Sequence, residues 1–152
     1  RFYAASWNEA MIVNVWAPME LTKLLLPRFR AAGRASLIFT ASTAGLRAVP
    51  GLLTYAASKG ALVQFVRSVA VQLAPEGIRA NALCPGATDT PALRRDIDDG
   101  TLPVTLDQIA AGIPMRRVGT TDDVARTALF LASDASSYLT GLALPVDGGA
   151  TA

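Results

Sequence analysis

Three short apolar runs, at residues 35–41 (ASLIFTA), 78–84 (IRANALC) and 142–146, stand far apart in the chain with long helix-patterned stretches between them. Hairpin neighbours are joined by a few residues. Strands separated by connections this long pair in parallel, through crossovers that are right-handed. The spacing therefore predicts an α/β fold. The first run, apolar throughout and set between a glycine turn and a small-residue loop, has the composition of a strand buried on both faces.

The intervening stretches carry helical periodicity. Met11, Val15, Met19, Leu25 and Phe29 place apolar residues along residues 7–32, read as one long helix, kinked at Pro18 or Pro27 and ended by Gly33. Ala57, Ala61, Leu62, Phe65, Val69 and Leu73 do the same over residues 54–73, which stop before Pro75 and Gly77. Thr121, with Asp122 and Asp123, supplies a cap and negative charge for a helix running to about Ala132. Between Pro85-Gly86 and that helix, residues 89–119 are polar, charged and rich in turn formers, the make-up of a mobile or irregular lid. With no internal repeat and no low-complexity linker, residues 1–152 read as a single, partial domain holding three strands.

Composition narrows the chemistry. The chain is 51% hydrophobic and 17% charged, its net charge is +2, and its arginines are spread along its length. That pattern argues against a nucleic-acid or membrane-surface partner and suits small neutral ones. No apolar run reaches the roughly 18 residues of a membrane span, and residues 1–7 lack a basic-then-apolar signal, so a cytoplasmic location is expected. A single cysteine, Cys84, excludes an internal disulfide, and the absence of histidine excludes a His-based zinc site or a Ser-His-Asp triad. A metal centre is not expected.

Tyr55 and Lys59 stand four apart near the start of a helix, so their side chains share a face. A free phenol titrates near 10, and a neighbouring ammonium favours the phenolate, which fits such a tyrosine for acid/base work at neutral pH. The same spacing also describes an ordinary amphipathic helix with a snorkelling lysine beside a half-buried tyrosine. Ser42 lies 13 residues before Tyr55, at the C-terminal end of a strand, where open α/β sheets place their ligands. It is either a hydroxyl for a substrate oxygen or a turn serine. Asn14, inside a helix, needs partners if buried. Pro85-Gly86 allows a sharp turn and a close backbone approach to a ligand, with Thr88 and Thr90 just beyond, or simply ends a strand. Cys84 adjoins this region and reads as an inert buried thiol.

In order and neighbourhood these motifs resemble the short-chain dehydrogenase/reductase family: Asn14 in NVWAP, Ser42 in FTASTAG, Tyr55 and Lys59 in YAASKGAL, then GIRANALCPG, IPMRRVG and LPVDGG. The likeness runs from about Trp7 to Gly149. It implies that Tyr55 is the catalytic acid/base and that Ser42 holds the substrate oxygen. Lys59 would lower the Tyr55 pKa and bond the nicotinamide ribose, and Asn14 would anchor a water that extends the proton relay. Pro85, Gly86, Thr88 and Thr90 match the segment contacting the nicotinamide carboxamide and phosphates, with Thr88 where the family usually has an aliphatic residue. Residues 89–119 would shape the pocket for a moderately apolar alcohol or ketone, and the two long helices would form a homodimer or homotetramer interface.

The resemblance also defines what the chain lacks. The family's sheet has seven strands, and its glycine-rich phosphate loop belongs to a part with no counterpart here; no G-x-x-x-G-x-G occurs. The expected fold is thus the C-terminal part of a doubly wound, Rossmann-type parallel sheet without its N-terminal dinucleotide-binding strands, and its first strand has an unpaired edge. The expected function is an NAD- or NADP-dependent oxidoreductase acting between a secondary alcohol and a ketone. The alternative is a truncated, non-catalytic remnant or oligomerisation module. A serine hydrolase built on Ser42 finds neither a histidine base nor a G-x-S-x-G elbow.

Overall fold

A computed structural model describes residues 4–152; residues 1–3, which open the stretch read for a signal, lie outside the described residues. Three strands, β1 (Ala35–Thr40), β2 (Ile78–Pro85) and β3 (Ala143–Val146), form one parallel sheet in the order β1-β2-β3. In register, Ala35 lies opposite Ile78 and Thr40 opposite Leu83, while Ala82 lies opposite Ala143. The α/β class and the parallel, Rossmann-like arrangement expected from the sequence are therefore those of the molecule. None of its helices is long and apolar enough to cross a membrane among the described residues.

The alternation of β2 sorts its two faces. Ile78, Ala80, Ala82 and Cys84 pack into a core with Leu62, Val66, Val69 and Leu73 of α3 (Leu53–Leu73). On the opposite face Arg79 donates to the carbonyls of Leu131 and Ser133, at the end of α6 (Thr121–Ala132). Asn81, fully buried, exchanges hydrogen bonds with the Leu139 carbonyl and the Leu142 N–H, so its polar atoms are satisfied. Both faces of β2 are covered.

β1 departs from the expectation of a strand buried on both faces: of its six residues only Leu37 is buried. The cause is its outer edge, which pairs with no strand among the described residues. A groove of about 390 Å³ runs along that edge, lined by residues that include Val13, Asn14, Leu21, Leu25, Phe39 and Lys59.

The first long helix is continuous but not uniform. It comprises α1 (Ala4–Met11), a wide π-helical turn (Ile12–Trp16) and α2 (Ala17–Ala32). Pro18 has no N–H to offer the carbonyl of Asn14, four residues earlier. The backbone widens there, and the Ala17 N–H reaches the carbonyl of Ile12, five residues back. What the sequence suggested as a kink is thus a local expansion with Asn14 inside it. Gly33 ends α2 in the left-handed conformation.

Residues 89–119 are more ordered than an irregular lid. They hold α4 (Pro91–Asp98), capped by Thr90, and α5 (Leu106–Ala111), where Thr105 and Gln108 form a reciprocal capping box. A bidentate Arg94–Asp89 pair and the pairing of Thr88 with Gly119 close the segment on itself. The cap of α6 is also one residue earlier than expected. Thr120, not Thr121, accepts from the Asp123 N–H, and the Asp123 carboxylate returns the bond to the Thr120 N–H.

Candidate active site

The site grows from the junction of β1 with α3. β1 ends at Thr40, and the chain then makes a tight turn, Thr43–Gly45, before reaching α3. This turn lies directly on α3. A Cβ built on Gly45 would fall 2.7 Å from the backbone carbon and oxygen of Lys59, a spacing that only glycine permits.

Tyr55 and Lys59 lie in the first two turns of α3, which makes them neighbours on one face. The Lys59 ammonium stands 5.7 Å from the centroid of the Tyr55 ring and donates to the carbonyl of Thr40 at 2.9 Å. The lysine is thereby anchored to the C-terminal end of β1, and Tyr55 stays 39% exposed, open to a ligand. Burial holds the Lys59 ammonium below its ordinary value, against a weaker opposing pull from Cys84.

Cys84, close enough to Lys59 for their charges to interact, is fully buried. Burial pushes its thiol up, while the backbone of Ser42 and the charges of Arg67 and Lys59 pull the other way. An uncharged thiol near Lys59 is the expected state, which accords with the inert role read from the sequence.

Ser42 sits on the adjoining turn in extended backbone conformation, and its hydroxyl oxygen accepts from the Ala44 N–H at 3.1 Å. It therefore caps the Thr43–Gly45 turn. Its own O–H hydrogen has no acceptor among the described residues, so the hydroxyl holds the turn and keeps a donor to spare.

Asn14 reaches this cluster from the first helix. Its amide donates to the hydroxyl of Ser58 at 3.0 Å, and Ser58, fully buried, donates to the backbone carbonyl of Tyr55 at 2.8 Å. Ser58 escaped the sequence reading because a helical serine looks like a surface residue. Its position inside YAASK, one residue before Lys59, was the available signal.

Pro85 is the last residue of β2 and Gly86, Thr88 and Thr90 follow it, but no hydrogen bond or ion pair joins these four to Tyr55 or Lys59 among the described residues. Gly86 answers to the protein as well as to any ligand. Its N–H donates to Val146, and a Cβ there would fall 2.7 Å from that of Asp147. The Thr88 hydroxyl donates to the Gly86 carbonyl, and that of Thr90 caps α4. Both threonines have local structural duties. Beyond β3, the Gly148 carbonyl accepts from the Met115 N–H, which ties the end of the 89–119 segment to the C-terminal turn.

The described residues contain no cluster of His, Cys, Asp and Glu side chains able to hold a metal ion. What the site offers is a phenol, an ammonium and two hydroxyl or amide donors, gathered at the C-terminal end of a parallel sheet.

Known proteins resemble this chain in sequence and in fold. The family model described as enoyl-(acyl carrier protein) reductase matches residues 2–151. The chain is 39% identical over 146 residues to 2-(R)-hydroxypropyl-CoM dehydrogenase of Xanthobacter autotrophicus, which covers 96% of this chain and 57% of that enzyme. Among solved structures, it is similar to a gluconate 5-dehydrogenase from Burkholderia cenocepacia, in complex with NADP and tartrate. There the TM-score is 0.90 at 32% identity, over 99% of this chain and 58% of that one. An oxidoreductase of the short chain dehydrogenase/reductase family from Burkholderia thailandensis gives a TM-score of 0.86 at 34% identity, over 99% of this chain and 57% of that one. The chain thus spans somewhat more than half the length of these relatives. With likeness in sequence and fold running along nearly its whole length, the chain belongs to the short-chain dehydrogenase/reductase family of oxidoreductases.

Proposed function

We propose that this chain is the catalytic half of an NAD- or NADP-dependent oxidoreductase that interconverts a secondary alcohol and a ketone. The observation that carries the reading is the placement of Lys59, anchored on the Thr40 carbonyl 2.9 Å away and 5.7 Å from the ring of an exposed Tyr55. In the reducing direction the Tyr55 O–H gives its proton to the carbonyl oxygen of the substrate, and in the oxidising direction the phenolate takes it back. Lys59 steadies the phenolate by its charge, and the spare Ser42 O–H donates to the same substrate oxygen. Asn14 continues the line of polar groups behind Lys59 and anchors the water through which the proton is replaced. A bound nicotinamide supplies or accepts the hydride.

The residues present fit the nicotinamide end of such a cofactor. Lys59 spends one of its three N–H donors on Thr40, which leaves two for the hydroxyls of a ribose. Pro85, Gly86, Thr88 and Thr90, beside the site, are assigned to the carboxamide and phosphate contacts, with backbone atoms at Thr88 and Thr90 as the donors because their hydroxyls serve the fold. Residues 89–119, with α4 and α5, form the substrate segment, and Leu93, Ile97, Leu102, Ile109, Ile113 and Met115 suit a moderately apolar alcohol or ketone. The enzyme in this reading is cytoplasmic and a homodimer or homotetramer. Exposed Ile12, Val13, Trp16 and Leu24 on the first helices support their role in subunit contact.

Replacing Tyr55 with Phe in the active protein tests the assignment. Turnover should fall by about three orders of magnitude or more while cofactor affinity is kept. Turnover at the parental rate would overturn it.

A second reading draws on the exposed apolar residues of the first helices: a non-catalytic module that keeps the helices of the interface but binds no cofactor. Titrating the 152-residue chain with NADH and with NADPH, by nucleotide fluorescence, separates the two. Tight binding contradicts the non-catalytic module; no binding to this chain contradicts its sufficiency as an enzyme.

A further inference from the structure

We infer that Ser58 is a positioning residue, whose buried hydroxyl ties the Asn14 amide to the backbone of Tyr55 and so sets where Tyr55 and Lys59 stand. The inference rests on the reading of Tyr55 and Lys59 as the working pair.

A serine inside a helix commonly returns its hydroxyl to a carbonyl three or four residues back, and that alone says little. Here the hydroxyl is fully buried and has a second, distant partner. Its oxygen accepts from Asn14 Nδ2 at 3.0 Å, across 44 residues of sequence, and its hydrogen goes to the Tyr55 carbonyl at 2.8 Å. Acceptance from Asn14 fixes the rotor, since the oxygen faces the first helix and the hydrogen has Tyr55 left to bond. Asn14 in turn belongs to the π-helical turn that Pro18 imposes. A backbone irregularity in one helix is thereby linked to the catalytic turn of another.

Lys59 is the next residue along α3, and it lines the β1 groove together with Asn14. In this inference the spacing between the first helix and the start of α3 governs how deeply the ammonium is buried. Ser58 is the hydrogen-bonded spacer between them. The titratable groups around Lys59 are Tyr55 on its own helix and Cys84 from β2, with Arg67 acting on Cys84; the first helix contributes the uncharged Asn14.

Lys59 is one of two lysines, the other being Lys23 on the exposed side of α2, so 15N-lysine labelling gives two side-chain resonances. The test follows the alkaline titration of both in the 152-residue chain and in Ser58→Ala and Ser58→Cys, the latter preserving side-chain volume while weakening both hydrogen bonds. Lys59 is expected to titrate below the ordinary lysine value in the parent, and to move up by about half a pH unit or more in both variants. Loss of global stability alone lowers the unfolding midpoint but leaves the folded-state titration unmoved. A Lys59 titration in a folded variant that matches the parent overturns the link, whether or not the protein reduces ketones. Failure of the Tyr55→Phe test would instead remove the catalytic meaning of the site and leave this shift standing.

Discussion

Gly45 and Lys59 touch through their backbones: the space a Cβ would fill at Gly45 already holds the carbonyl group of Lys59, 2.7 Å away. That contact seats the Ser42 turn on the helix bearing Tyr55 and Lys59. Gly45→Ala should therefore lower stability by about 1–3 kcal/mol, because the obstructing atoms are backbone and cannot rotate aside. Gly60→Ala is the matched control. Its Cβ would meet only the Gly45 oxygen at 3.6 Å, an ordinary contact, and a helical Gly-to-Ala change is neutral or favourable. Urea unfolding of both variants checks the pair, and equal midpoints would remove the argument.

Lys59 should oppose stability at neutral pH. Burial holds its folded-state value below 10.5, its unfolded one, so between the two values the unfolded chain binds more protons. The deficit is fully present below the folded value and disappears as pH rises to 10.5. Lys59→Met keeps the stem and removes the charge. The stability difference between parent and variant should move in favour of lysine as pH rises from neutral toward 10.5, measured by urea unfolding at each pH. A difference constant across that range would contradict the burial argument.

Asp123 carries the opposite sign. The Arg117 guanidinium, at 2.6 and 3.0 Å, and the Thr120 N–H and hydroxyl hold its carboxyl well below the usual carboxylate range. Its contribution is present above the unfolded value of 3.8 and is lost as pH falls through the folded one. Asp123→Asn should be less stable than the parent at neutral pH, and the gap should close progressively below 3.8. Thermal melts of parent and variant across this acid range report it. Because the pair is largely exposed, added salt should shrink the gap as well.

Cys84 should resist modification while the chain is folded. It is fully buried and its thiol is pushed up by that burial, so both access and thiolate fraction are low. Reaction with a disulfide reagent should run about a hundred-fold or more slower in the native chain than in urea. Comparable rates would show that the structure around Cys84 opens readily.

Much of the architecture was legible because glycine and proline punctuate it. Gly33 and Gly77 precede strands, Pro85 and Gly86 close one, and the bounds of β1, β2 and α3 fall within a residue of the apolar runs. The Tyr55–Lys59 adjacency was legible for a different reason, since helical geometry alone brings residues four apart together. At Ser42 the oxygen accepts from the Ala44 N–H, a bond within its own turn that local sequence suggests.

Other features depend on partners that local sequence does not reveal. Ser58 is buried where the first helix packs on α3, and its hydroxyl finds its partners in Asn14 and the Tyr55 carbonyl. The small helices α4 and α5 carry good caps at Thr90 and Thr105, but their brevity and charge hid any apolar period. The half-buried character of β1 follows from what lies beside it in space, and its apolar sequence matches that of a strand with neighbours on each side.

The bare edge of β1 has a direction as well as a position. A neighbour added in parallel must run the same way, and two parallel strands in one polypeptide need a connection of a dozen or more residues to return to the starting end. The helix from Ala4 to Ala32 is such a return path, already in place along the groove and feeding directly into β1. Its 29 residues span about 43 Å, ample to travel back past a six-residue strand. A strand supplied on the same polypeptide ahead of that helix would meet the edge in the right polarity, whereas one supplied by hairpin would arrive reversed. On this edge, the order strand, helix, strand keeps neighbours parallel.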